Sequence, residues 1–227
     1  MRISRKTSRI ALIVALILIL LPLLALADNT PASGTTADSV LMRFAPHAVP
    51  RAALKYKRDL IRNARYVWGL DAPIAVLAAQ IHQESGWNSN AKSVFASGLT
   101  QFTPDTAEWI SGIHPKDLGE NNPLSPKWAL RAQSIYVKQL YDNSDAATSC
   151  DQMWKALWKY NGGAGWVVRD ERLAAKHGAN VRIAKEVEPF NAGRNPAMFK
   201  ENRDYSRVIL IKWQPTYVAW GGEIKCS

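Results

Sequence analysis

Ala78-Ala79-Gln80-Ile81-His82-Gln83-Glu84-Ser85-Gly86-Trp87 joins an apolar run to a carboxylate, a hydroxyl and a glycine, and this junction decides the fold. Pro73 stands at a first helical position and Gly86 at a stop, which predicts a helix over 73–84. Ile74, Leu77, Ala78 and Ile81 recur at helical spacing and turn one face to a core. Glu84 comes seven residues after Leu77 and three after Ile81, on the same face. A carboxyl pointed at an apolar interior keeps its proton, because burial disfavours the charged form. Such a group suits general-acid work near neutral pH. The competing reading is a solvated glutamate at a fraying helix end.

Working outward, helical patterning begins near Arg51. Leu60, Ile61, Ala64, Val67 and Trp68 form one side, and Arg51, Lys55, Arg58, Arg62 and Arg65 form a basic stripe on the other. That stripe is a solvated face or a surface for an anionic polymer. Residues 85–105 read as irregular and 111–125 as a polar loop, after which Ser125-Pro126 opens a helix to about Tyr141. Cys150, Met153, Trp154, Leu157 and Trp158 make an amphipathic stripe from near Ser149, continued by Asn161 and stopped by Gly162-Gly163. Further helices are expected over 165–176 and about 196–212. No alternating strand pattern and no internal repeat appears, so the fold class is mostly α, built around a buried central helix.

The N-terminus carries Arg2, Arg5, Lys6 and Arg9, then an apolar run from Ile10 to Ala27 ending in Ala25-Leu26-Ala27. These are the parts of an export signal, and the run is also long enough for an uncleaved signal-anchor. The expected organisation is a signal peptide or signal-anchor over 1–27, a flexible linker over 28–50 and a catalytic domain over 51–227. An exported, periplasmic location is expected, with a possible inner-membrane tether. Net charge is +10, and all 19 acidic residues but only 25 of the 29 basic ones lie beyond Ala27, leaving +6 there. A basic exported chain suits an anionic partner such as a cell-wall polymer or a membrane surface. No basic-aromatic module points to nucleic acid. Cys150 and Cys226, the only cysteines, read as one disulfide in an oxidising compartment, or as two buried thiols in a reducing one.

His47, His82, His114 and His177 are scattered without zinc-ligand spacing, and neither a G-x-S-x-G elbow nor a phosphate loop is present. Elimination leaves carboxylate chemistry on an uncharged or weakly charged substrate. Three stretches then resemble one family in order. They are Glu84-Ser85-Gly86-Trp87 with Gly98-Leu99-Thr100-Gln101-Phe102-Thr103-Pro104, Tyr160-Asn161-Gly162-Gly163-Ala164-Gly165, and Glu201-Asn202-Arg203-Asp204-Tyr205-Ser206-Arg207-Val208. Together they look like the motifs of the soluble lytic transglycosylases, over about residues 72–208.

That resemblance implies a lysozyme-like helical domain acting on the glycan strands of peptidoglycan. It implies cleavage of the bond between N-acetylmuramic acid and N-acetylglucosamine with closure of a 1,6-anhydro ring. Glu84 would serve as acid and then as base, Gln101 and Asn161 would hydrogen-bond the sugar, and Tyr205 would hold Glu84. Tyr160 would contact substrate and Ser85 would be a polar companion of the acid. No cofactor is implied, and a monomer is expected. Trp87 and Trp109 are candidates for sugar stacking or for core packing.

The segment Ser93-Val94-Phe95-Ala96-Ser97-Gly98 is one residue shorter than the family's usual turn and lacks its first glycine, which predicts a rebuilt turn before Gln101. A hydrolase of the same fold, similar to goose-type lysozyme, is the rival enzyme, with Asp105 or Glu108 positioning water. A non-catalytic wall-binding component is the rival from another class.

Overall fold

The computed structural model describes residues 47–226. The expected signal and all but the last residues of the expected linker lie outside the described residues. Among the described residues eleven α-helical segments run in order: α1 Arg51–Leu54, α2 Lys57–Trp68, α3 Ile74–Ser85, α4 Pro104–Ile113, α5 Pro115–Leu118, α6 Pro126–Asp142, α7 Ser149–Gly162, α8 Ala164–Lys176, α9 Ala184–Val187, α10 Pro196–Arg207 and α11 Gln214–Tyr217. A π-helix, Val208–Trp213, joins α10 to α11, and a 3-10 turn, Val218–Trp220, comes after it. Among the described residues the only β pairing is two isolated bridges, Lys92 with Ser97 and Ser97 with Phe102.

The centre is α3. Every residue from Ile74 to Ile81 is buried, as expected of a helix that is apolar all round. Alanines at 75, 78 and 79 keep it slim, and α2, the π-helix and α11 pack against it. Gly86 closes the helix in a left-handed conformation, its N–H bonded to the His82 carbonyl. Pro73 occupies the N-cap, one position earlier than the sequence predicts. Around this core, α2 lies on α6, α6 on α7, and α7 on both α8 and α10. Trp158, Val167, Ala174, Ala184 and Val187 form a second, smaller core beneath α7.

Three elements differ from expectation. The helix expected over 51–68 breaks at Lys55-Tyr56, where Tyr56 turns inward to stack on Trp87. The polar 111–125 loop contains the single turn α5. The helix expected over about 196–212 ends at Arg207, and one extra residue per turn then re-aims the chain beyond it. Trp213 thereby stacks on His82, with ring centroids 3.9 Å apart, and donates from Nε1 to Gln83 Oε1 at 3.0 Å. Periodicity alone carries no sign of such a phase change.

Helix α7 contradicts its own sequence pattern. Lys155 and Lys159 sit opposite the apolar stripe yet are buried. Lys155 Nζ pairs with Glu171 at 2.6 Å and donates to the Val181 carbonyl, while Lys159 Nζ donates to the Asn143 carbonyl and Ser144 Oγ. Their stems fill the core and their ammonium groups tie down the α6–α7 turn and the segment after α8. Cys150 and Cys226 are joined. The bond anchors a tail that runs back over α3, where the Ala75 N–H donates to the Gly221 carbonyl at 2.9 Å. The basic stripe of α1 and α2 is exposed throughout.

Candidate active site

A cleft of about 240 Å³ opens at the C-terminal end of α3. Gln83 and Glu84 form its floor, Ser93, Phe95, Ala96, Gln101 and Thr103 one wall, and Tyr160, Asn161, Glu201 and Tyr205 the other. A larger hollow, about 480 Å³, lies between α2 and α6. Its carboxylates, Asp117 and Asp142, are paired with Arg131 and Lys138, whereas Glu84 in the smaller cleft is in no ion pair among the described residues.

Glu84 is held by a buried chain of donors. Gln133 Nε2 donates to the Leu77 carbonyl at 3.0 Å and to Gln80 Oε1 at 2.8 Å. Gln80 Nε2 then donates to the Tyr205 hydroxyl at 3.0 Å. With its oxygen so occupied, Tyr205 turns its proton onto Glu84 Oε1. Burial pushes the Glu84 carboxyl up to about 8, the Tyr205 bond pulls it back, and the nearby charge of Glu201 adds to the rise. Burial also holds Tyr205 and Tyr160 well above the usual phenol range, and the Glu84 charge adds to it, so both stay protonated. At neutral pH the cleft therefore presents a neutral carboxylic acid, one oxygen fixed and the other free to deliver a proton. That is an acid poised for donation.

The loop between α3 and α4 supplies the facing wall. Ser93 holds a tight turn in the shortened segment: its Oγ accepts from the Ala96 N–H at 2.9 Å, and its own N–H donates to the Ala96 carbonyl. Gln101 adopts a left-handed backbone (φ 48°) and donates from Nε2 to the Gly98 and Ala91 carbonyls. Its amide nitrogen is thus spent inside the loop, which leaves Oε1 for the cleft. Tyr160 lines the cleft with its ring, while its hydroxyl donates to the Thr100 carbonyl at 2.8 Å. Asn161 closes the far side; burial raises the Glu201 carboxyl, and the neighbouring Asn161 side chain offsets part of that rise.

Of the six residues singled out from sequence, Glu84, Gln101, Tyr160, Asn161 and Tyr205 come together here. Ser85 does not: its Oγ donates to the Leu99 carbonyl at 2.8 Å and is directed into the loop base, away from the cleft. It anchors the loop to α3 because the next position along a helix points some 100° away. Trp87 is also core, 2% exposed, donating from Nε1 to the Tyr217 hydroxyl. Asp105 and Glu108 are exposed on α4 and do not line the cleft. The second carboxylate is instead Glu201, to which its motif in the sequence attaches no role. Gln80 also escapes sequence reading, and its one signal is a lone amide inside an apolar helix, a group that requires a partner.

Residues 59–183 match the family model described as the Transglycosylase SLT domain. The chain belongs to that family. This SLT-domain chain is 33% identical over 158 residues to "Membrane-bound lytic murein transglycosylase F" of Shewanella loihica, covering 67% of this chain and 30% of that protein. The namesake from Shewanella pealeana is 32% identical over 126 residues, 55% of this chain and 24% of the relative. Among solved structures, the 70 kDa soluble lytic transglycosylase SLT70 of Escherichia coli superposes with a TM-score of 0.53 at 25% identity, over 73% of this chain and 24% of that one. The chain thus spans less than a third of the length of these relatives. Glu201 and Tyr205 lie beyond the residues matched by the SLT model.

Proposed function

We propose that this SLT-domain chain is a lytic transglycosylase of peptidoglycan, cleaving the β-1,4 bond between N-acetylmuramic acid and N-acetylglucosamine. The observation that carries the reading is Glu84: one carboxyl, raised to about 8 and oriented by Tyr205, in an open cleft. Its proton passes to the glycosidic oxygen as the bond from C1 breaks, and the N-acetylglucosamine leaves with a free hydroxyl. The resulting carboxylate then takes the proton of the muramic C6 hydroxyl, whose oxygen closes on C1. Glu84 ends protonated again, and no water is consumed. Gln101 and Asn161 would hold the sugars, with Tyr160 shaping the wall. The N-terminal run would direct export to the periplasm and tether the chain there if it is retained.

Glu201 favours one second reading. A carboxylate opposite the acid is what a hydrolase of this fold needs to direct water, since hydrolytic glycosidases use two carboxyl groups. Mass spectrometry of muropeptides released from purified peptidoglycan separates the two. The expected products are one water lighter than reducing-end muropeptides and disappear with Glu84→Gln. Reducing-end products would assign the hydrolase, and binding without turnover would overturn both enzymatic readings.

A further inference from the structure

Behind the cleft lies a polar assembly sealed from solvent. Asp170 of α8 is fully buried, and its Oδ2 receives Arg194 Nη2 and, at 2.9 Å, Arg203 Nη2. Its Oδ1 accepts the Ala192 N–H. The other prongs of the same two guanidinium groups both end on Asn202, which is 1% exposed: Arg194 Nη1 and Arg203 Nη1 each donate to Asn202 Oδ1 at 2.9 Å. An amide whose oxygen holds two cationic donors has one orientation open to it. Asn202 Nδ2 must point the other way, and there it donates to the Trp158 carbonyl at 2.8 Å and to Asn161 Oδ1 at 3.0 Å.

We infer that Asn202 is a positioning residue for the cleft, fixing the orientation of the Asn161 amide so that its NH₂ group faces Glu201 and the substrate. With Asn161 Oδ1 occupied from behind, only the amino group is left for the cleft side. A flipped Asn161 would set two NH₂ groups, its own and that of Asn202, against each other. That arrangement takes one of its two acceptors from the amide of Asn202, which is buried and out of reach of solvent. The inference rests on the functional reading above for what the amide recognises: a sugar acceptor, such as an acetamido or hydroxyl oxygen.

Gly162 belongs to the same device. A Cβ at this position would lie 2.6 Å from Asn202 Nδ2 and 2.9 Å from Arg194 Nη1. Its backbone is helical, so alanine is conformationally acceptable, and the obstacle is the relay itself. The glycine following Asn161 thus lets two polar side chains pass beneath the helix end.

Two variants test this without adding charge: Asn202→Ala deletes the amide, and Gly162→Ala displaces it. Each is expected to lower kcat/KM for glycan cleavage roughly 10- to 100-fold, the usual consequence of a misplaced binding group. In an Asn161→Ala background the further loss is expected to fall below about twofold, because residues acting through one another are not additive. The side-chain amide protons of Asn161, followed by NMR in the substrate-free protein, are expected to give one sharp pair in the wild type. They are expected to be shifted or broadened in both variants. An unchanged Asn161 amide signal, or an equal loss in the Asn161→Ala background, overturns the inference. If Asn202→Ala fails to fold, Gly162→Ala carries the same comparison. A wild-type protein that releases no glycan product would sink the functional reading alone, since the amide signal is read without turnover.

Discussion

At the scale of single residues, the decisive quantity is the proton on Glu84. Folding raises this carboxyl from an ordinary 4.5 to about 8. The unfolded chain therefore sheds the proton more readily than the folded one. The associated stability is complete below about pH 4.5 and is lost as pH rises toward 8. Glu84→Gln has no charge to bury. It is expected to match the wild type at pH 4 and to exceed it by roughly 3 kcal/mol at pH 7, measured by urea denaturation at each pH. A difference that does not vary with pH would show that the carboxyl is not held protonated. Glu84 itself is legible in the sequence, because its position follows from helical spacing off Leu77 and Ile81. Gln80, Asn202 and Glu201 are not legible in role, since each acts through partners remote in the chain, as Gln80 does through Tyr205, 125 residues away. Ser85 misleads because adjacency in sequence is not adjacency on a helix.

At the scale of elements, the loop between α3 and α4 shows how a departure from the family pattern is absorbed. The shortened segment closes through a Ser93 turn, while Gly98 keeps the tight passage, with φ at 79° and the Pro123 carbonyl only 1.9 Å from where a Cβ would stand. Gly98→Ala is expected to cost about 2–3 kcal/mol, read as a lower urea midpoint, and to weaken substrate binding by loosening Gln101. A stability equal to wild type would mean that this passage can widen freely. The helices are legible wherever an apolar stripe meets a cap or a glycine, as in α3, α6 and α7. The π-helix is not, because it satisfies the same residues with one more per turn. The buried faces of Lys155 and Lys159 are also hidden: a lysine reads as solvated until the carbonyls that receive it are located.

At the scale of the whole molecule, the cysteine pair links the tail to α7 across 76 residues of sequence. Closing a loop of that length removes about 4.5 kcal/mol of unfolded-chain freedom in the entropic account. Reduction, or paired replacement of Cys150 and Cys226 by serine, is expected to lower stability by about 2–4 kcal/mol, seen as a drop in thermal midpoint. An unchanged midpoint would show that the tail docks without the bond. Cysteine count and the expected export make the pair legible, but the tail's seat on α3 is not, because Gly221 and Ala75 share no pattern. That seat also bears on biosynthesis. The first turn of α3 takes its acceptor from Gly221, and the carboxyl at its other end takes its donor from Tyr205. A chain cut short of these positions therefore lacks both partners, so truncated products carry Glu84 without the hydroxyl that orients it.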